Sequence, residues 1–317
     1  MSKTLDLRMA VSSKGRTEIA ARIIPAFYEQ IPDPVNTNVT LVVSSGDSEL
    51  GGIGTPMIVG SKKFHFAFCN PACIGRMALL GRGFYKNKIP LRAIGVFPSW
   101  DRLVFAVREE TGIRSLEEIR EKKLPLRIST RRLGKFRGTV LAVEEVLKAS
   151  GFSLGEVERW GGKILRVSTP GSRERADHIR NGTADAVFDE GIKNWGSTAL
   201  KNGMRFLPLG EKVLKHLERM GLPAAPLTPA VLPELDGELT TVDFSGWLLF
   251  CRSDLPAGIV LAMAKAIDLR HQEIPVDHFD GRGMTMEEFC RGGEGGPLTI
   301  PLHPAARKYF REKGYLG

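Results

Sequence analysis

Short aliphatic runs recur along the chain, and each gives way to an amphipathic stretch. Leu5 to Val11 reads as a strand, ends in Ser12-Ser13, and precedes a helical pattern from about Thr17 to Gln30. Val39 to Val43 ends in Ser44-Ser45, followed by Gly46-Asp47-Ser48 and another candidate helix. Leu126 to Ile128 ends in Ser129-Thr130, ahead of a helix from about Gly138 to Ala149. Ile164 to Val167 ends in Ser168-Thr169, then Pro170, Gly171 and Ser172 open a helix that stops at Asn181-Gly182. Strands alternating with helices predict an α/β fold.

The paired hydroxyls have two readings. Ser and Thr are good N-caps, because the side-chain oxygen accepts a bond from a free N–H in the first helical turn. Pro170 after Thr169 suits a first helical position and Gly182 the residue past the helix end. Hydroxyls beyond the carboxyl ends of strands also stand where open α/β sheets bind ligands, beside helix N-termini that favour anions. Four such junctions, two in each half of the chain, favour a convergent site over four unrelated caps.

Each half carries a second matching element. Phe64 to Phe68 runs into Cys69-Asn70-Pro71-Ala72, and Ala184 to Phe188 runs into Asp189-Glu190-Gly191. Period-two alternation puts Asp185, Val187 and Asp189 on one strand face and Ala184, Ala186 and Phe188 on the other. Asp189 and Glu190 then arrive at the strand tip. They either pair with an arginine or cap the following helix, since acids favour helix N-termini, or they meet a ligand. Trp195, about one turn into that helix, is placed to wall a pocket.

At 317 residues, with 42% hydrophobic and 26% charged positions, the chain is globular and long enough for two domains. Its formal charge of +9 raises the question of nucleic acid. The basic residues are scattered, however, and the densest cluster, Arg131-Arg132-Leu133-Gly134-Lys135-Phe136-Arg137, lacks a basic tail or an aromatic-studded sheet motif. Steering of small anions fits better. Cys69, Cys73, Cys251 and Cys290 follow no disulfide-framework spacing. No run approaches the ~18 apolar residues that suggest a membrane helix, and the N-terminus has no signal-like apolar region. That predicts a cytoplasmic protein as written, or a periplasmic one if a leader was removed.

No nucleophile elbow, phosphate loop or dinucleotide fingerprint is present, so no catalytic residue and no cofactor is assigned. His65, Cys69 and Cys73 recur at four-residue intervals, but on a strand four residues span ~13 Å and Pro71 interrupts the segment, so no metal is expected. His178 and His216 are expected at the surface, and His303, between prolines, in a turn.

These residues together resemble the TAXI-type solute receptors of TRAP transporters, within the type II periplasmic-binding-protein fold. The carriers are Ser44 to Ser48, similar to a Thr-Gly-Gly-Ser-like turn, and Asn181 to Phe188, similar to a Gly-x-x-Asp-Ala strand. Leu298 to Tyr315 is similar to the family's C-terminal tail. The resemblance implies two α/β lobes with a ligand cleft between them and two hinge crossovers. These are expected near Pro98 to Asp101 and Phe206 to Pro208, giving lobe one as 1–98 plus 209–317 and lobe two as 99–208. It also implies capture of a small organic anion and its delivery to a membrane permease. The sequence as written departs from the family in showing no leader-like N-terminal stretch, in Ser129 to Thr139, where only Gly138-Thr139 matches a Gly-Ser-Gly-Thr-like loop, and in the more polar Asp243 to Trp247.

The expected contacts are Ser12, Ser13, Ser44, Ser45, Ser48, Asn70, Ser129, Thr130 and Thr139. Arg131 or Arg132 supplies counter-charge, with Asp189, Glu190 and Trp195 at the second lobe's tip. An arginine can pair bidentately with a carboxylate, which a glycine cannot. The competing expectation is a cytosolic enzyme on the same scaffold, decarboxylase-like or biosynthetic, acting on an aromatic or heterocyclic acid.

Overall fold

A computed structural model of the chain describes residues 4–12, 14–44, 48–276 and 282–317. The chain divides into two compact units. The first comprises Met1–Trp100, Lys135–Arg137 and Ser245–Gly317, and the second Asp101–Gly134 and Gly138–Phe244. The sequence placed the return crossover near Phe206 to Pro208. Instead the chain stays in the second unit for two further strands and leaves it at Phe244. A strand that hydrogen-bonds to the second sheet's own members carries that segment with it.

In order, the first unit opens with β1 (Leu5–Ser12), α1 (Lys14–Gln30), β2 (Thr37–Ser44), α2 (Thr55–Gly60), β3 (Phe66–Cys69), α3 (Cys73–Leu80) and β4 (Leu91–Phe97). The second holds β5 (Arg102–Arg108), α4 (Leu116–Glu121), β6 (Arg127–Arg131), α5 (Gly138–Ala149), α6 (Leu154–Arg159) and β7 (Lys163–Val167). It continues with α7 (Arg173–Arg180), β8 (Ala186–Asp189), α8 (Ile192–Lys201), β9 (Met204–Phe206), α9 (Glu211–Met220), β10 (Ala224–Leu227) and β11 (Leu239–Asp243). The first unit then closes with β12 (Trp247–Arg252), α10 (Ala257–Arg270), α11 (Met286–Arg291), a hairpin of β13 (Gly292–Gly293) and β14 (Gly296–Pro297), and α12 (Pro304–Glu312). The α/β class expected from the alternation is present, and each of the two units is built on its own large sheet, as the resemblance implied.

The first sheet runs β2-β1-β3-β12-β4, with β12 antiparallel to both neighbours. Along β1, alternate residues Leu7, Met9 and Val11 face a core shared with Ile23 and Phe27 of α1 and Met263 of α10. Helix α10 is apolar over most of its surface because it is buried in this core. Gly95 of β4 has a local reason to be glycine: a Cβ there would lie 2.2 Å from the Phe289 ring.

The second sheet runs β10-β11-β5-β8-β6-β7, with β9 also on β5. Strands β7, β6 and β8 are parallel, so their carboxyl ends share one edge. Strand β5 is antiparallel to β8, with Val104 opposite Asp189. Its beginning, and Asp101 just before it, therefore lie at that same edge. Phe105 and Phe188 pack in the interior with ring centroids 4.9 Å apart.

Two local expectations change. In β6 the hydroxyl pair is inside the strand rather than at its tip, since pairing with β7 continues through Thr130 and Arg131. At α7 the cap is Ser172, whose Oγ accepts the Arg175 N–H at 3.3 Å, so Thr169 does not cap and Pro170 precedes the helix. Ser48 is followed by an irregular turn and a short 3-10 segment before α2, not directly by a helix.

Candidate functional site

The second unit gathers its charged side chains at the carboxyl ends of β6 and β8. Asp189, the last residue of β8, is fully buried and lies 2.7 Å from Nη2 of Arg175 on α7. The approach is ionic rather than a formed hydrogen bond: Asp189 Oδ2 and all three guanidinium nitrogens have no hydrogen-bond partner among the described residues. The guanidinium carbon stands 5.7 Å from the centre of the Trp195 ring. Burial pushes the Asp189 carboxyl up to about 6 against the pull of Arg175, and burial also lowers Arg175. Both shifts have the same cause, the cost of carrying charge into the interior.

Glu190, one residue on, turns the other way. Its Oε1 lies 3.3 Å from Nη1 of Arg131 and accepts a 3.5 Å bond from Thr139 Oγ1 in the first turn of α5. Both partners of this ion pair are mostly buried, at 12% and 13% side-chain exposure. Arg131 Nε is buried without a hydrogen-bond partner, and its carbonyl accepts from Arg166 of β7 at 2.9 Å. The Glu190 carbonyl accepts from the Trp195 indole at 2.9 Å, fixing α8 to the strand tip.

Asp101 closes the group. Both carboxyl oxygens accept the Gly191 N–H at 2.9 Å, and Oδ1 is 3.4 Å from the Ile192 N–H. Gly191, at φ +71°, offers no capping side chain, so the N-terminus of α8 is capped by a residue 90 positions earlier. Burial first, then the neighbouring Glu190 carboxylate, raise the Asp101 carboxyl well above the usual range.

The other predicted residues of this unit have structural partners. Ser129 is fully buried with its Oγ 3.2 Å from His178 Nδ1, so His178 is tied to the sheet rather than free at the surface. Thr130 donates to the Phe188 carbonyl at 2.7 Å. The Arg132 backbone N–H bonds Val167, while its side chain is exposed. Asp185, at the other end of the β8 segment, pairs with Arg127.

In the first unit, Ser13 and Ser45 lie outside the described residues. Ser12 is buried at the end of β1; Arg16 Nε donates to its carbonyl at 2.8 Å, and the Arg16 guanidinium lies over the Trp247 ring at 5.5 Å. Gly15 permits that approach, since a Cβ would meet the Trp247 indole at 2.6 Å. Ser48 Oγ donates to Ser44 Oγ at 3.0 Å. Asn70, past the end of β3, keeps a buried Oδ1 with no hydrogen-bond partner among the described residues.

His65 Nδ1 accepts the Arg8 N–H at 3.0 Å, and burial pushes the Cys69 thiol up to about 12. Among the described residues no group of three or more His, Cys, Asp or Glu could hold a metal ion. His303 caps α12, its Nδ1 accepting from the Ala305 N–H. No helix among the described residues is long and apolar enough to cross a membrane.

Sequence reasoning missed Asp101, Arg175, Arg16 and Trp247. Arg175 had a faint signal: it falls four residues before buried Ile179, a charge on the inward stripe of a helix. Asp101 had none, because its position follows from the antiparallel register of β5.

The chain belongs to the NMT1-like family, whose model matches residues 34–314. Among solved structures it is similar to the alkanesulfonate-binding protein SsuA from Xanthomonas axonopodis pv. citri bound to MOPS. Identity there is 16% over 86% of this chain and 76% of that one, with a TM-score of 0.38. A TctC solute binding protein from Polaromonas matches at 17% identity over 84% of each chain, with a TM-score of 0.42. The glycine/betaine/L-proline-binding protein ProX from Borrelia burgdorferi matches at 14% over 78% of this chain and 75% of that one, with a TM-score of 0.43.

Proposed function

We propose that this chain is a solute receptor that captures a small organic anion, a carboxylate, and passes it to a membrane permease of the TRAP type. The observation that carries the reading is Arg131. Its guanidinium sits mostly buried at the tip of β6, balanced by Glu190 at 3.3 Å and bordered by the first turn of α5. A guanidinium in that position suits a carboxylate in geometry and charge. The N–H groups of the α5 N-terminus add favourable partial charge.

In this reading Arg131, Thr139 and Glu190 meet the solute, while Asp189, Ser129, Thr130 and Trp195 hold the strand tips that present them. Ser12, Ser44, Ser48 and Asn70 of the first unit enter as candidate neutral contacts, Asn70 on the strength of its unbonded amide oxygen. The TAXI-type resemblance supports the choice of permease.

Native mass spectrometry of freshly purified protein identifies any retained acid, and calorimetry with that acid tests the site. Arg131→Ala is expected to weaken binding about tenfold to a hundredfold, the effect of a charge-assisted bond worth about 1.5–3 kcal/mol. Arg131→Lys should recover part of it. The solute should be recovered with unchanged mass; conversion to a product would point to an enzyme. Equal affinity in wild type and Arg131→Ala would remove the assignment.

A further inference from the structure

Helix α12 is pinned to the first unit along its whole length. Its cap, His303, donates its backbone N–H to the Ala93 carbonyl at 2.8 Å, and the Ala93 N–H donates to the Pro301 carbonyl at 2.9 Å. The segment ahead of the helix therefore lies along the start of β4. Phe310 is fully buried, and the hydroxyls of Tyr309 and Tyr315 donate to Asp268 of α10 at 2.6 and 2.7 Å. With Ala306 and Phe310 inward, the helical repeat turns Arg307, Lys308 and Arg311 outward, and all three are exposed. Together with Arg92 of β4 and the half-buried Leu302 they line a surface hollow of about 480 Å³.

A single acid, Glu312, stands against these four bases. It lies 3.8 Å from Lys308, at 61% and 79% side-chain exposure, a solvated pair of little strength. Among the described residues Arg92, Arg307 and Arg311 have no acidic partner at salt-bridge distance. Helix stability accounts for only part of the cluster. Arg311, in the last turn, suits the helix dipole. Arg307 is near the N-terminal end, where the dipole disfavours a cation, and Arg92 comes from a strand. The sheet topology sets the hollow apart from the candidate solute contacts of this unit. Strand β3 is parallel to β1, and β12 is antiparallel to both β3 and β4, so β4 runs with β1 and β3. Arg92 at the start of β4 is therefore at the opposite edge from Ser12 and Asn70, most of a strand away, ~17 Å.

We infer that this hollow docks an acidic segment of another protein. Its carboxylates pair with the guanidiniums, whose planar forks match them bidentately, and an apolar side chain lies on Leu302. Arg307 and Arg311 are one helical turn apart, ~6 Å along the axis. Alternate side chains of an extended segment repeat at about the same distance. The helix is already held by its buried face, so docking costs little ordering of the receptor. A hollow with an apolar floor suits a chain segment better than a flat lipid surface. The inference does not depend on whether Arg131 takes a solute.

The test is fluorescence anisotropy of fluorescein-labelled hexaglutamate mixed with the full chain at low ionic strength. The double variant Arg307→Glu/Arg311→Glu should weaken binding at least about tenfold, and the Arg307→Gln/Arg311→Gln variant by a smaller factor. Arg159→Glu/Arg173→Glu changes the net charge equally at exposed positions of the second unit, and should bind nearly as wild type. Equal losses in both charge-reversed proteins would reduce the effect to net charge and end the inference. The wild type alone decides the location if a variant fails to fold. Carbodiimide coupling of the peptide should mark Lys308 ahead of other lysines, whereas labelling spread evenly over the surface counts against the hollow. Vesicles of equal parts phosphatidylglycerol and phosphatidylcholine, and sedimentation of the protein alone, test the other occupants. Groove-dependent binding to vesicles without binding to peptide, or groove-dependent self-association, would replace the acidic partner with a membrane or a second copy.

Discussion

Asp189 is a carboxylate with no exposed surface, set against a guanidinium that is equally buried. Its ordinary value of 3.8 is raised to about 6 because burial outweighs Arg175. For a carboxyl whose folded value is raised, the protonated form is favoured more in the folded than in the unfolded chain. Its contribution to stability is therefore full below about 3.8 and is lost as pH rises through about 6. Asp189→Asn removes this titration. In urea unfolding at a series of pH values, wild type should gain on the variant by up to about 1.4 kcal/mol per unit as pH falls from about 6 toward about 4. A difference that stays constant over that range would show that Asp189 does not titrate there. The question raised by two adjacent acids at a strand tip divides at this scale: Asp189 faces inward to Arg175, and only Glu190 reaches the arginine at the candidate site.

The elements show why part of this was legible and part was not. Strand and helix periodicity located β1, α1, β2, α5 and β8 to within two or three residues, because one buried face imposes a visible repeat. Helix α5 matches its expected bounds, Gly138 to Ala149. Hydroxyl pairs were less informative, since a serine that ends a strand and one that continues it look alike until pairing is known. Ser129 and Thr130 continue β6 because β7 runs beside them. The cap of α8 was invisible for a different reason: local sequence offered Asp189 and Glu190, whereas the antiparallel β5 delivers Asp101 from 90 residues away. Removing that side chain should orphan the first N–H groups of α8. Asp101→Ala is expected to cost about 1–2 kcal/mol and to speed hydrogen exchange at Gly191 and Ile192. Asp101→Asn, which keeps an acceptor oxygen, should cost less. Equal exchange rates in all three proteins would show that Asp101 does not hold the helix start.

At the scale of the whole molecule the formal charge is +9, from 45 basic and 36 acidic residues. Dispersed positive charge of this kind speeds the approach of an anion without fixing its identity, and salt screens it over about 10 Å at ~0.1 M. Benzoate and benzamide share a ring and differ in charge, so they separate steering from contact. Stopped-flow mixing followed by tryptophan fluorescence is a suitable readout, because the Trp195 indole bonds the carbonyl of Glu190 itself. Raising ionic strength from about 10 mM to about 150 mM should slow benzoate association several-fold and leave benzamide nearly unchanged. If Arg131 holds the solute as proposed, the dissociation rate should respond much less, because the Arg131 side chain is mostly buried and screening is weaker there. If both compounds lose association rate to the same degree, the net charge plays no part in capture and the buried Arg131 acts alone.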